Sequence, residues 1–316
     1  MRKLLAFAAC GALALGAAAC GDDDDSSGDG GGGGGGGGDL SGTIKIDGSS
    51  TVGPFSEAAQ EAFIAENPGV KITVGTSGTG GGFEKFCAGE TDISNASRPI
   101  KDDEEAPICK KAGIDYTEVQ VANDGISVVT NPELKVDCLT TDQLKKIWNE
   151  GSKVKSLKEV DPSLPDTELS LFGPGTDSGT FDFFTDEING EEGVSRKDYQ
   201  PSEDDNVLVQ GVEGEQGGLG YFGFSYYEQN QDKLNLVGID AGDGCVTPDS
   251  ETIQSGDYKP LSRPLFMYPS AKAIKRPEVK AFMDYVLESQ ESIAEASQII
   301  PMNQAQADEA KTALGS

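Results

Sequence analysis

The chain has no histidine among its 316 residues. That absence removes Ser-His-Asp and Cys-His catalysis and every His-ligated metal site. Cations are scarce as well: 25 Lys and Arg stand against 54 Asp and Glu, a formal charge of −29. Such a balance argues against nucleic acid and against anionic lipid surfaces as partners. It also means that any anion site must work through local donors, because the overall field repels anions. The acidic tracts 22–25 and 102–105 read as solvated rather than coordinating. There is no CxxC pair, and long cysteine spacings make a zinc site a weak alternative. No apolar run after residue 19 is long enough to span a bilayer.

What is present begins with an export signal over residues 1–19. Arg2 and Lys3 form its basic end, Leu4 to Ala19 is an uncharged Ala-rich run, and small residues lead into Cys20. This resembles a bacterial lipoprotein signal, with cleavage before Cys20 and a lipid such as palmitate on that sulfur; Ala17 stands where Leu is commoner. An ordinary cleaved signal is the alternative. Residues 20–41 hold Asp22 to Asp25 and the run Gly31 to Gly38, with no apolar residue between Cys20 and Leu40. Such a segment cannot bury a core and is expected to be a flexible tether. Lipid and tether together predict a domain held on the extracytoplasmic face of the cell membrane. In that compartment the four remaining cysteines favour two disulfides. Three connectivities are open to four cysteines, and Cys87–Cys109 with Cys138–Cys245 is the expected one.

From residue 42 the chain repeats a rhythm of strand, small-residue turn and helix. Strands are expected at 43–46, 70–74, 92–100 (with a loop) and 119–122, then at 234–239 and 264–268. Helices are expected after Pro54, near Phe83, over 139–148, around Tyr226 and Tyr227, and at 277–287 and 293–296. Val207 to Val209 reads as a buried segment, and Asn123-Asp124-Gly125 as a turn-like connection. This pattern predicts an α/β sheet with binding loops at the carboxyl ends of its strands. Three turns, 48–54, 75–82 and 175–180, are rich in Gly, Ser and Thr. Each alone is ordinary turn chemistry. Together, with Arg98 beside a fourth loop, they point to one shared oxyanion site built from backbone N–H and hydroxyl donors. In the third, Ser178-Gly179-Thr180 sits where Leu169, Leu171 and Phe172 give way to Phe181, Phe184 and Ile188 at helical spacing. Ser178 suits the N-cap of that helix.

The assembled motifs are GSSTVGP (48–54), SGTGGGF (77–83), TDISNASRPI (91–100), NDGISVVTNP (123–132), LKKIWNEG (144–151), DSGTFDFF (177–184) and GLGYFGFSYY (218–227). Together they resemble the substrate-binding lipoproteins of Pst-type phosphate ABC importers, over roughly residues 42 to 300. The resemblance implies a type II periplasmic-binding-protein fold: two hinge-linked α/β lobes with the ligand buried in the cleft between them. We place lobe I at 42–122 plus 238–316 and lobe II at 123–237. Carried over by motif, Ser50, Thr51 and Val52 hold one face of a phosphate, and Ser77 and Thr79 donate from the second loop. Ser178, Gly179 and Thr180 donate from the opposite lobe. Two departures follow: Pro174 stands where many members carry Arg, and Ser97 where many carry a carboxylate. The expectation is therefore that Arg98 supplies the guanidinium and Asp124 the carboxylate, with Asp177 in reserve. For Arg98 the alternative is a surface salt bridge to Asp102 or Asp103; for Asp124, a turn-forming role.

An acceptor carboxylate distinguishes monohydrogen phosphate, which has a proton to donate, from sulfate, which has none; the mismatch costs on the order of 1–3 kcal/mol. The expected function is an extracytoplasmic receptor that captures inorganic phosphate and delivers it to an ABC permease. It is expected to act as a monomer, without cofactor or metal and without enzymatic activity. The alternatives are a receptor for sulfate, molybdate or phosphonate and, from another class, a phosphatase-type hydrolase.

Overall fold

The computed structural model describes residues 40–176 and 178–315. The signal, the lipidation residue Cys20, almost all of the tether and Asp177 lie outside the described residues. The first half runs β1 (Gly42–Gly48), α1 (Gly53–Glu66), β2 (Val70–Gly75), α2 (Gly78–Cys87), β3 (Ile93–Ala96), α3 (Glu105–Ala112) and β4 (Val119–Thr130). It continues with β5 (Cys138–Thr140), α4 (Thr141–Trp148), β6 (Ser170–Pro174) and α5 (Gly179–Phe184), which passes directly into a π turn over Thr185–Asn189. Next come β7 (Gln200–Ser202), α6 (Asp205–Gly214), β8 (Gly218–Gly223), α7 (Phe224–Glu228), β9 (Asn235–Asp240), β10 (Cys245–Val246) and α8 (Ser250–Ser255). The chain closes with β11 (Ser262–Pro269), α9 (Pro277–Glu288), α10 (Gln290–Ala296) and α11 (Gln304–Leu314).

Strand order is β2-β1-β3-β11-β4-β8-β6-β7, with β9 beside β4, β5 and β10. The strand–turn–helix units are parallel where the rhythm predicts it: β1 with β2 and β3, and β6 with β7 and β8. A parallel strand needs a crossover, so helices cover the faces and each turn lands at a strand's carboxyl end. β4 and β11 run antiparallel to their neighbours, as β10 does to β9. β11 returns antiparallel between β3 and β4. β4 is one continuous strand that pairs with β11 over Val119–Gly125 and with β8 over Ile126–Thr130. It thus joins two sheets, and the turn expected at Asn123-Asp124-Gly125 is absent because those residues are in the ladder.

Two main apolar cores lie on either side of that junction. One gathers Ile44, Phe55, Phe63, Val121, Ala122, Leu265, Met267 and Phe282. The other gathers Ile126, Leu144, Trp148, Phe184, Tyr221, Ile239, Ile253, Tyr258 and Leu261. The buried residues change from the first core to the second between Ala122 and Ile126 and back again between Leu261 and Leu265, not near residue 238. The pairing of β9 with β4 and β5 keeps residues 235–240 in the second lobe.

Local chemistry explains most elements. In α1, Phe55, Ala59 and Phe63 recur every four residues and are buried behind a Pro in the first turn. In α4, Thr140 and Gln143 form a reciprocal capping box, and Leu144, Ile147 and Trp148 face the core. Phe184 stacks on Tyr221 at 3.7 Å, and Trp148 meets Tyr221 edge-on at 4.8 Å. Two expectations are corrected here. α2 begins at Gly78, not near Phe83. Val207 to Val209 lies in α6, where Leu208 and Val209 are buried but Val207 is 52% exposed. Helix periodicity there takes only two of three adjacent residues inward. The Cys87–Cys109 and Cys138–Cys245 disulfides are both present. Among the described residues no helix is long and apolar enough to cross a membrane.

Candidate functional site

The three Gly/Ser/Thr-rich turns converge. A cavity of about 460 Å³ is lined from the first lobe by Ser49, Ser50 and Thr51, by Ser77 to Gly81, and by Ser97, Arg98 and Pro99. From the second lobe it is lined by Gly179, Asp182, Phe183, Asp186, Glu187 and Glu192. Ser262, Arg263 and Pro264, at the point where the chain recrosses, complete it. The amino ends of α1, α2 and α5 border this space. Each offers N–H groups with no partner inside its own helix, and a positive dipole end.

Each loop is pinned from behind. Gly48 adopts φ 144°, and a Cβ there would collide with the Asn95 carbonyl that accepts the Ser49 amide at 2.9 Å. Buried Asn95 exchanges hydrogen bonds with Ser56 at 3.1 and 2.9 Å, tying α1 to β3. In the second loop Ser77 donates to Asp47 through both its amide (3.1 Å) and its hydroxyl (2.6 Å). Lys85 reaches the other Asp47 oxygen at 2.6 Å. Burial pushes the Asp47 carboxyl up, but these bonds outweigh it and hold the group below its ordinary value. The Ser77 hydroxyl is thus committed to positioning the loop, contrary to the expectation that it is a free donor. Thr79 Oγ1 accepts from the Ser97 amide at 3.1 Å and lies 3.0 Å from Ser97 Oγ.

In the third loop Ser178 Oγ accepts from the Thr180 amide at 3.2 Å and caps α5. The Thr180 amide is spent there; the Ser178 hydroxyl keeps its own proton to donate. Gly179 touches the other lobe: a Cβ on it would collide with Thr51 Oγ1 and stand 2.8 Å from Ser50 Oγ. Val52, fully buried, is the residue before α1.

The charged pair differs from expectation by one partner. Arg98 borders the cavity, but its fork closes on Glu105, with Nη2–Oε1 at 2.6 Å and Nη1–Oε2 at 3.0 Å, and Nη1 also donates to Pro99 O at 3.1 Å. The hydrogen bonds that Arg98 donates to Glu105 raise its guanidinium above the ordinary value. Its partner is Glu105 rather than Asp102 or Asp103. The guanidinium paired with Asp124 belongs to Arg263. The antiparallel register of β4 and β11 sets Asp124 opposite Arg263, and Arg263 Nε donates to Asp124 Oδ2 at 3.1 Å. Arg263 Nη2 donates to Thr51 Oγ1 at 2.9 Å and to the Gly179 carbonyl at 3.3 Å, so one side chain holds both lobes. Its Cζ lies 3.8 Å from the Phe183 ring centroid. Nη1 makes no hydrogen bond to a described residue, and Arg263 lines the cavity. Burial pushes the Arg263 guanidinium down, opposed by Asp124. Asp124 stands behind Arg263 and does not line the cavity. Sequence reading passed over Arg263, although Ser262-Arg263-Pro264 repeats Ser97-Arg98-Pro99. Among the described residues no group of three or more His, Cys, Asp or Glu is arranged to hold a metal ion.

Two α/β lobes joined through shared strands, with helix amino ends lining the space between them, define the class of two-lobed substrate-binding proteins. The PBP superfamily domain matches residues 34–291. SphX of Synechococcus elongatus is 44% identical over 262 residues, covering 82% of this chain and 77% of that protein. The phosphate-binding protein PstS of Staphylococcus saprophyticus is 44% identical over 257 residues, covering 80% and 78%. The crystal structure of a possible phosphate binding protein from Planctomyces limnophilus superposes with a TM-score of 0.82 at 48% identity, covering 87% of this chain and 98% of that one. The chain belongs to the PBP superfamily and, within it, to the family of PstS and SphX proteins.

Proposed function

We propose that this protein is an extracytoplasmic receptor that captures inorganic phosphate between its lobes and delivers it to an ABC permease. One observation carries the reading: Arg263, held by Asp124, lines a cavity onto which three helix amino ends open, and its Nη1 makes no hydrogen bond to a described residue. A guanidinium and N–H groups match a tetrahedral oxyanion, and they supply local attraction that a −29 chain otherwise lacks. Thr51, the Val52 amide, Thr79, Ser178 and Gly179 are the uncharged donors; Ser50 lines the same wall, Ser77 and Thr180 position their loops, and Asp124 positions Arg263. Arg98 shapes the rim through Glu105. Binding is a matter of lobe closure: Arg263 reaches Thr51 on one lobe and Gly179 on the other only when they are together, so a ligand needing both favours the closed form. The site holds and releases its ligand without chemistry. The chain works as a monomer, lipid-anchored through Cys20 on the outer face of the cytoplasmic membrane.

Calorimetric titration of the full chain, freed of ligand, tests this. One-to-one phosphate binding with sulfate much weaker is the expected result. Binding of neither anion would overturn the reading.

A further inference from the structure

The stretch from Lys145 to Lys158 takes no part in the cavity, yet it carries five lysines and one carboxylate in a chain of charge −29. It runs from the last turn of α4 through the loop that follows. Lys145, Lys146, Lys153, Lys155 and Lys158 are all exposed, and so is Lys197. Arg196, whose side chain is 5% exposed, fixes Lys197 beside them. Its amide donates to Trp148 O at 3.0 Å, and its Nη1 donates to Ile147 O at 2.8 Å and Val154 O at 3.2 Å. Lys145 Nζ reaches the turn at Gly190, 3.5 Å from where a Cβ would stand there, and Glu192, two residues on, lines the cavity. The basic face therefore starts beside the second-lobe wall of the binding cavity.

The carboxylates of this face are mostly spent within it. Asp198 accepts from Arg196 Nε at 2.7 Å and Nη2 at 2.9 Å. Asp166 accepts from the Ser156 hydroxyl at 3.1 Å and Lys158 Nζ at 3.0 Å. Glu159 accepts the Lys155 and Ser156 amides, and Asp161 accepts from Gln143 and Ser163. Of the lysines only Lys158 forms an ion pair with a described residue. The positive charge is thus left facing outward while the negative charge around it is engaged. At the end of α4, Lys145 and Lys146 line a groove of about 550 Å³ with Asn149, Glu150 and Ser152, and with Asp142 at its far side.

We propose that this face docks an acidic segment of the membrane permease that receives the ligand. The inference rests on the receptor reading above. Most of the acidic body repels such a segment, so one basic face both attracts the partner and fixes the orientation in which the cavity meets it. The groove suits a chain segment. An anionic lipid surface fits less well, because a plane of charge meets the carboxylates of the surrounding body as well as the lysines, whereas a loop meets the lysines alone.

The experiment compares the full chain with a double variant, Lys145→Glu with Lys146→Glu, by calorimetry with inorganic phosphate and by phosphate uptake into proteoliposomes that hold the permease. Phosphate affinity should be unchanged, which also shows that the variant folds, and uptake should fall by about tenfold or more. Lys145→Gln with Lys146→Gln should lose less. Lys110→Glu with Lys111→Glu, an exposed pair on α3, alters net charge equally and should leave uptake as it was. Unchanged uptake in the α4 variant overturns the proposal, as does an equal loss in the α3 control or an affinity loss that matches the uptake loss. The loss should persist in proteoliposomes of phosphatidylcholine alone; a loss seen only with added phosphatidylglycerol assigns the face to lipid and overturns the proposal. If the wild type binds no phosphate, the receptor reading falls and takes this inference with it. If it binds phosphate and the α4 variant transports as well as the wild type, this inference alone falls.

Discussion

Arg98 and Arg263 occupy the same tripeptide, Ser-Arg-Pro, and border the same cavity, yet they do different work. The Arg98 side chain is 35% exposed and spends both ends of its fork on Glu105, seven residues away in the chain. The Arg263 side chain is 15% exposed, its main partner Asp124 is 139 residues away, and one nitrogen is left over. A local, half-exposed ion pair organises a loop and contributes little, because solvent screens it and the side chains lose freedom. A buried pair is different: neither partner can be removed without leaving the other as an uncompensated charge. The contrast teaches that sequence context ranks the two arginines equally and that burial with a distant partner separates them.

The sharpest way to break the comparison is to truncate each arginine in turn. Arg263→Ala should weaken phosphate binding by about a hundredfold or more, which is about 2.7 kcal/mol. It should also destabilise the fold by about 3–5 kcal/mol, since Asp124 is left buried and unpaired; calorimetry and chemical denaturation read the two effects separately. A smaller effect is expected from Gly179→Ala. Its added methyl meets Thr51 only when the lobes are together, so affinity should fall by about tenfold with almost no change in melting temperature. Small-angle scattering should show reduced compaction on adding phosphate. If affinity is unchanged, Arg263's bridge between lobes does not report the binding state.

Arg98→Ala should be milder still. We expect a loss of stability of about 0.5–1 kcal/mol, as for other exposed pairs, and less than about threefold in phosphate affinity. A hundredfold loss would reverse the ranking of the two arginines. The smallest effect concerns the surroundings of Asp124. Burial, then Asp204, Glu203 and Asp124, push Asp205 up to about 7. An unfolded Asp titrates at about 3.9, so the folded chain keeps a proton that the unfolded chain releases. Stability therefore declines as pH rises through that window, and the penalty is complete above pH 7. Asp205→Asn should raise the melting temperature by roughly 2–4 °C at pH 8, with no gain at pH 4.

Much of the site was legible because its determinants are local. A strand that ends in Gly, Ser and Thr and opens into an apolar 3.6-residue pattern places a helix amino end at the sheet's edge, whatever the rest of the chain does. Gly48 to Pro54, Ser77 to Gly82 and Ser178 to Thr180 could be read this way. The same logic failed where the determinant is a pairing between distant strands. Asn123-Asp124-Gly125 carries every local sign of a turn, yet it continues through a 12-residue strand because β11 and β8 pair with its two halves. The return near residue 238 was misplaced for the same reason: β9 looks like any strand until its partners β4 and β5 are known.

What the sequence by itself determined is the donor chemistry: three hydroxyl- and glycine-rich turns at helix starts, no histidine, and a strongly acidic chain that obliges any anion site to be local. Only the tertiary structure decided which arginine of the cavity wall is buried against a distant carboxylate. Arg98 and Arg263 have the same flanking residues, and the antiparallel register of β4 against β11 sets Asp124 opposite Arg263 alone. Turn and cap preferences act over a few residues and can be read along the chain. Strand register is set by partners far apart in sequence, and it decides which charges are buried together.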